Sequence, residues 1–212
     1  MVRSIRPPQS LYCKDIWNNL FNCLIICRKV IDAVNYYEIR YISKELNQDL
    51  REIFIDVLYA LIGEGIIAAS ELLEDERSPI NYHKIKNKID DEKLEKSFKK
   101  GLIEKIKNWD RLYKINKYYQ ILTDKNTGIV FLRDKVFAHT DNKGLFQVIK
   151  KEIIDNLKEV IMDLYKLHLE LLIELSDKND YKTVMANSQP TAKEYSIQSE
   201  QKATLLKNLF RN

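Results

Sequence analysis

The sequence is poor in the residues that make tight turns. Its 212 residues include 5 Gly and 4 Pro. β-Sandwiches and barrels need many short turns, which depend heavily on these two residue types. The scarcity therefore favours helices over a turn-rich β fold, and no stretch alternates as a strand should. The length fits one domain, or one domain with an appendage.

Cysteine is also rare, with 3 in the whole chain. Cys13, Cys23 and Cys27 fall within one predicted helix, and an odd number of this kind does not form a disulfide framework. Cys23 and Cys27 share a helix face, but the sequence places no further His or Cys beside them that would complete a metal site. We expect both to be buried apolar residues.

Long apolar runs and strong charge are missing as well. The runs "FNCLIIC" and "VLYALIG" are too short to cross a bilayer, and the start, "MVRSIRPPQS", carries no apolar signal segment. We therefore expect a cytoplasmic protein without membrane association. The net charge of +4 allows binding to nucleic acid but does not require it.

The common site motifs are absent. There is no Walker loop, no GxGxxG, no HExxH and no CxxC. Thr140 directly follows His139, but that adjacency is not the geometry of a nucleophile and its base. We expect neither a cofactor nor a metal.

Apolar residues recurring every three to four positions are plentiful, and they predict helices. The fold class is all-α, an up-and-down bundle of four or five helices with a flexible C-terminal tail. Gly63 and Gly65 lie inside the second predicted helix, where we expect them to permit close packing. The predicted helices begin after caps at Ser10 and Asn47, follow the stripe from Leu102 to Leu122 with an interruption near Asp110, include the short segment "IVFLRDKVFAH", and end with the stripe from Val148 to Leu175.

Residues 1–176 form the predicted helical domain, and residues 177–212 form a polar tail without a sustained period. The last residues, "ATLLKNLFRN", place four apolar side chains on one side of a short helix: Leu205, Leu206, Leu209 and Phe210. Packing of this helix on its own bundle is favoured over docking on a partner.

The three histidines have different surroundings in the sequence. His83 lies in a polar stretch and is expected to be a solvated loop residue. His168 lies on the apolar stripe of the last predicted long helix, which favours a core or interface residue with one satisfied nitrogen. His139 ends a short helix, six residues after Arg133 and five after Asp134.

The segment "RDKVFAH" resembles the Arg-(Asn/Asp/His)-x4-His signature of the HEPN superfamily, and "LRDKVFAHTD" looks like the version in abortive-infection-type bacterial HEPN proteins. The resemblance covers about residues 10 to 175. It implies a small all-helical, homodimeric, metal-independent endoribonuclease that acts on RNA as a toxin or antiviral defence effector. It also implies an antitoxin or defence-system partner. Some family toxins carry a Tyr, modified by a nucleotidyltransferase, where this chain has Asp141, so control by that route is not expected.

The residues suit this chemistry. When the 2′-hydroxyl of RNA attacks the adjacent phosphate, negative charge gathers on the non-bridging oxygens, and Arg133 can hold two of them at once. His139 titrates near neutral pH and can transfer the proton. We expect Asp134 to orient Arg133 or His139, or to keep the histidine charged; the alternative is a surface acid paired with Lys135 or Lys143.

Positions six apart in a regular helix are rotated by roughly 240°. Arg133 and His139 therefore do not share a face, so the site should lie at a helix break, at a dimer seam, or at both.

Two further surfaces are candidates for RNA contact. The stretch Lys84–Lys107 has nine Lys and five acids, and a solvated helix face is favoured over a phosphate-binding surface. Four tyrosines suit base stacking but are more often core or interface residues: Tyr36, Tyr37, Tyr118 and Tyr119.

Two other functions remain open. One is a non-catalytic HEPN-like module that binds RNA, a nucleotide or a protein partner. The other is a dimerisation bundle in which Arg133 and Asp134 pair across an interface.

Overall fold

The computed structural model describes residues 14–73, 82–91, 94–137, 149–176 and 181–211. These ranges contain nine α-helices and no β-strand, so the all-α class is confirmed. A 3₁₀-helix (Arg40–Lys44) lies between the first two helices, and a π-helix (Leu132–Phe137) continues the sixth. The α-helices are α1 Lys14–Glu38, α2 Gln48–Leu73, α3 Tyr82–Asp91, α4 Lys96–Ile115, α5 Tyr118–Thr123, α6 Ile129–Phe131, α7 Lys151–Glu174, α8 Tyr181–Asn187 and α9 Ala192–Arg211.

The predicted number of helices is wrong. An up-and-down bundle of four or five does not match nine. Five helices have 20 or more residues, whereas α3, α5, α6 and α8 have 10 or fewer. Such short helices span too few turns for a clear apolar period, so the sequence pattern does not reveal α3 and α8 and does not separate α5 from α4. Helix α6 lies within the predicted short segment "IVFLRDKVFAH".

Helix α1 lies at the centre of the fold and contacts α2, α7 and α9. Leu20, Leu24 and Ile31 of α1 are buried in one core with side chains of α2 and α7. A Cβ built at Gly65 of α2 would overlap the Cβ of Ala33 in α1. The two helices are therefore close enough here to require glycine, which confirms the prediction for Gly65.

The prediction of a flexible tail is wrong for residues 181–211. Helices α8 and α9 form there, and α9 packs on α1 and α7. It buries four side chains, of which three are small: Tyr195, Ser196, Ser199 and Ala203. Because this face has few large apolar residues, the sequence shows no apolar period even though the segment is a packed helix.

The end of α9 packs on its own fold, as favoured from the sequence. The ring of Phe210 lies 4.9 Å from the ring of Phe54 in α2, in an edge-to-face arrangement. Leu206 is also partly buried, whereas Leu205 and Leu209 are exposed. Only half of the predicted apolar side is therefore covered.

Two helix boundaries differ in how well the sequence predicts them. Asn47 caps α2 as expected, because its Oδ1 accepts a hydrogen bond of 3.0 Å from the N–H of Leu50. The expected interruption near Asp110 is wrong, since α4 continues to Ile115. The chain breaks instead at Lys117, which has a left-handed φ of 60°.

Within the described residues, α2 is the one helix whose length and apolar character would suffice to cross a membrane. Half of its most apolar window is buried against other parts of the protein, a property that the core helix of a globular protein shares. A protein with several membrane spans is therefore not indicated in these residues, and the cytoplasmic location stays a prediction.

Candidate functional site

A tight turn holds the segment that carries the Arg-Asp motif. The Asp124 carboxylate accepts hydrogen bonds from the N–H of Asn126 and from both the hydroxyl and the N–H of Thr127. These bonds, the one from Asn126 above all, lower the pKa of Asp124 below its ordinary value. A Cβ at Gly128 would lie 2.8 Å from the backbone N of Asp124, so the turn closes too tightly for another residue. This turn therefore fixes the position at which the segment that carries Arg133 and Asp134 begins.

The motif itself departs from regular α-helix. After the three residues of α6, residues Leu132–Phe137 form a π-helix. Leu132 is buried and anchors this segment to the core, while Asp134 is exposed. In a π-helix the backbone hydrogen bonds connect residues five apart instead of four apart. Such segments are rare in proteins overall, but those that occur are often found at functional sites. The segment that carries Arg133 and Asp134 is therefore irregular from Leu132 onward, whereas the break expected near His139 lies outside the described residues.

Arg133 is held on two sides. Its Nε donates to Oδ1 of Asp134 at 2.7 Å, and its Nη1 donates a long hydrogen bond of 3.3 Å to Oγ of Ser70 in α2. The Arg133 side chain is 25% exposed, so solvent still reaches it. The bond to Ser70 joins the π-helix to α2, and the two bonds together limit the orientations open to the guanidinium plane.

Sequence reasoning missed Ser70. It is 1% exposed, and its hydroxyl also donates to the carbonyl of Ile67 at 2.8 Å. A serine on the apolar face of a helix, beside Ala69, is the one available signal, because a buried hydroxyl needs a partner. The sequence does not say that this partner is an arginine 63 positions away.

Asp134 contacts Arg133, in agreement with one of its expected roles. The pair is partly exposed, at 25% and 51% for the two side chains, so it adds little to stability by itself. Its contribution is geometric, because a carboxylate at Nε restricts rotation of the guanidinium.

His139 and Asp141 lie outside the described residues. The distance from Arg133 to His139 and the dimer seam therefore stay predictions.

His168 is a core residue, as its apolar stripe predicts. It is 1% exposed, and its Nδ1 lies 3.9 Å from Sγ of Cys27, whereas its buried Nε2 has no hydrogen-bond partner among the described residues. Desolvation lowers the pKa of His168 to about 3. The imidazole is therefore neutral near pH 7.

Cys23 and Cys27 are buried as expected, but Cys27 has a neighbour that the sequence did not predict. His168 approaches Cys27 from α7, although no histidine is near it along the chain. Burial raises the pKa of Cys23 to about 12 and that of Cys27 well above its ordinary value. Neutral thiols of this kind are poor nucleophiles. Among the described residues, no group of three or more His, Cys, Asp or Glu side chains forms a candidate metal site.

His83 lies in the first turn of α3, not in a loop as expected; its side chain is not among the described ones. Tyr37 is 2% exposed and donates to the carbonyl of Ile149 at 3.0 Å, so it is a core residue and does not present a ring for stacking. Tyr36 and Tyr119 are half-buried. Tyr118 is also half-buried and donates a hydrogen bond to Glu159.

The Lys-rich stretch divides between α3 and α4. Lys99 donates to the carbonyl of Asp90 at 2.6 Å, and Lys105 forms ion pairs with Glu174 and Glu170. These two lysines hold helices together. Other lysines of α4 point to solvent.

The chain matches no protein-family model, no curated protein and no solved structure. The HEPN resemblance therefore rests on the motif and its surroundings.

Proposed function

We propose that this chain is a metal-independent endoribonuclease of HEPN type that acts as a toxin or antiviral defence effector. The observation that carries the proposal is the position of Arg133. Its guanidinium is held by Asp134 and Ser70, at the start of a π-helix that leads toward His139. A preoriented guanidinium suits a reaction whose transition state gathers charge on phosphate oxygens.

The proposed reaction breaks one phosphodiester bond. The ribose 2′-oxygen bonds to phosphorus as it loses its proton, and the bond from phosphorus to the 5′-oxygen breaks. Arg133 stabilises the charge on the non-bridging oxygens. His139 accepts the proton of the 2′-hydroxyl and returns a proton to the leaving 5′-oxygen, so the products are a 2′,3′-cyclic phosphate and a free 5′-hydroxyl.

The test is cleavage of RNA in EDTA by purified wild type and variants. We expect Arg133→Gln to lose about 10²–10³-fold in rate, as when one oxyanion donor is removed. We expect His139→Ala to lose about 10²–10⁴-fold. Lys135→Gln is the matched control, because it removes one cation from the same π-helix and should cleave like wild type. Equal activity in wild type and His139→Ala would sink the catalytic role.

A homodimer with both motifs in one cleft gives a sharper outcome. In a mixture of Arg133→Gln and His139→Ala proteins, a mixed dimer holds one complete site if the arginine of one chain works with the histidine of the other. Activity then returns on mixing if subunits exchange freely, because about half of the dimers are mixed. The recovered activity is about a quarter of the wild-type value if the wild-type dimer has two working sites, and about a half if it has one. No recovery on mixing would mean that both residues act from one chain, or that the protein is not a dimer.

A non-catalytic HEPN-like module that binds RNA, a nucleotide or a protein is the second candidate. One observation favours it: Arg133 is three-quarters buried and hydrogen-bonded to Asp134 and Ser70, as structural arginines often are. RNA binding without any cleavage by the wild type would select this function. Loss of the dimer in Arg133→Ala, with no change in RNA binding, would select a dimerisation bundle instead.

The proposal includes a cytoplasmic location and an antitoxin or defence-system partner that restrains the enzyme. With Asp141 in place of a tyrosine, restraint by modification at that position is not proposed.

A further inference from the structure

Helix α4 has one face in the core and the opposite face in solvent. The N-terminus is capped by Glu95, whose carboxylate accepts from the N–H groups of Ser97 and Phe98. Four residues at three- and four-residue spacing form the buried face: Leu102, Ile106, Trp109 and Tyr113. Their burial fixes the rotation of the helix, and so fixes which residues point outward.

The outward residues include a row of cations, here called the α4 ridge. With about 100° of rotation per residue, its members fall within a sector of about 60°. At about 1.5 Å per residue the row is about 27 Å long. All of its side chains are exposed: Lys96, Lys100, Lys107, Arg111 and Lys114.

Most of these cations lack an internal counter-charge. Within the described part of the chain, no ion pair or hydrogen bond involves the side chain of Lys96, Lys100, Lys107 or Arg111. Lys114 pairs with Asp110 at 3.1 Å but remains 48% exposed.

Some lysines elsewhere in the fold have an acidic partner. Lys29 pairs with Glu64, and Lys202 pairs with Asp32. The acids of α4 are Glu104, which is exposed, and Asp110, which is partly exposed and pairs with Lys114, so the ridge with its five cations keeps a net positive charge.

Apolar side chains lie beside the far end of the ridge. Leu112 and Ile115 are 54% and 65% exposed, and the half-buried ring of Tyr118 follows them. A surface that binds single-stranded nucleic acid combines a positive track for the backbone with apolar or aromatic groups for the bases. The ridge and its flank have both parts.

We propose that the α4 ridge binds the phosphate backbone of single-stranded RNA, an inference that rests on the proposed ribonuclease function. A row of separate cations without an apolar centre suits a linear polyanion, whereas protein interfaces have an apolar core with few lysines. The single strand is favoured over a duplex because A-form RNA has a deep, narrow major groove that side chains do not read. The bases of a single strand are free to contact Leu112 and Ile115.

The test measures equilibrium binding of a labelled 2′-O-methyl RNA 20-mer of mixed sequence, in EDTA, at several salt concentrations. The methyl groups block attack by the 2′-oxygen, so binding is measured without cleavage. The ridge variant is Lys100→Gln/Lys107→Gln/Arg111→Gln. Each phosphate contact adds about 0.7 to the slope of log K against log salt. We therefore expect a slope shallower by about 2, with at least tenfold weaker binding in low salt.

The matched control is Lys44→Gln/Lys166→Gln/Lys193→Gln, which removes three exposed cations from elsewhere in the fold. We expect its slope to equal that of the wild type. Equal effects in the two triple variants would overturn the proposal, because net charge alone would then explain binding. An unchanged slope in the ridge variant would overturn it as well. Competition by a polyglutamate peptide as effective as RNA of equal charge would reject RNA in favour of an acidic protein segment.

The outcomes separate this inference from the proposed function. If the wild type binds RNA through the ridge but cleaves none, the ribonuclease proposal fails and the proposal that the ridge binds RNA is retained. If the wild type cleaves RNA and the ridge variant binds RNA with an unchanged slope of log K against log salt, the ridge proposal fails and the ribonuclease proposal is retained. Circular dichroism of both triple variants checks that the exposed substitutions leave the helices intact.

Discussion

Helix α1 packs through two faces that differ in their physics. Toward α2 and α7 it buries apolar side chains and approaches closely at Ala33 and Gly65. Toward α9 it uses polar contacts, including the hydrogen bond of 2.9 Å from Asn35 to Ser199 and the ion pair from Lys202 to Asp32. The comparison teaches that an apolar contact produces a regular spacing of apolar residues in the sequence, whereas a polar contact does not.

The α9 side also has its own start signal. Thr191 accepts from the N–H of Glu194 at 3.3 Å, and the Glu194 carboxylate accepts from the N–H of Thr191 at 2.8 Å. This is a capping box, and its hydrogen bonds, the one from the Thr191 backbone above all, lower the pKa of Glu194. The sequence "TAKE" contains this signal, but the polar residues around it conceal the helix that it begins.

The largest expected effect concerns acid and the apolar face. The pKa of His168 falls to about 3 in the fold, below its ordinary value of 6.5, so the unfolded chain takes up a proton first as the pH decreases. Stability is therefore greatest above pH 6.5 and is lost as the pH falls toward 3. Between pH 7 and pH 5 we expect a loss of about 2 kcal/mol in the free energy of unfolding, measured by urea denaturation.

His168→Gln is the control for this effect, since glutamine does not titrate. Its stability should change less between pH 7 and pH 5 than that of the wild type, by the same 2 kcal/mol or so. Parallel pH profiles for the two proteins would mean that acid sensitivity comes from other groups, such as those at the α9 contact.

The second prediction concerns the close approach of α1 and α2. Gly65→Ala should lower the free energy of unfolding by about 1–2 kcal/mol, because the overlap with Ala33 outweighs the better helix propensity of alanine. Gly101 in α4 is the matched control, since a Cβ there meets nothing within 4 Å. Gly101→Ala should raise stability by about 0.5–1 kcal/mol. If the two substitutions stabilise equally, the α1–α2 seam is looser than described.

The smallest expected effect belongs to the polar face. Ser199→Ala leaves the buried amide of Asn35 without its acceptor and should cost about 1 kcal/mol. Hydrogen exchange should become faster in α9 and remain unchanged in α2. Thr204→Ala is the control on the exposed side of the same helix. Uniformly faster exchange in α2 and α9 would show that the two faces of α1 unfold together.

The sequence predicted the fold where side chains follow a period. The stripes of α1, α2, α4 and α7 are apolar and long, so their existence and buried faces were predictable, as was the core position of His168. The helix count and the packed tail were not, because short helices and polar faces leave no period. Lys117 shows the same limit, since no local rule favours a left-handed lysine at the break after α4.

The candidate site divides in the same way. The motif identifies Arg133 and Asp134 as neighbours in the chain, and their contact follows directly. The bond from Arg133 to Ser70 spans 63 positions, and the contact of His168 with Cys27 spans 141. Neither contact can be recognised from the pattern of residues near it in the sequence.

By itself, then, the sequence determined the helical class, the apolar core and the adjacency of Arg133 and Asp134. Those properties depend on composition and on the spacing of neighbours along one helix. Only the tertiary structure decided that α9 belongs to the packed fold and that Ser70 holds Arg133. It also decided that the cations of α4 form one exposed row. These features depend on which helix faces meet when the protein packs. A buried polar group forms its hydrogen bond with whichever partner the fold brings near it.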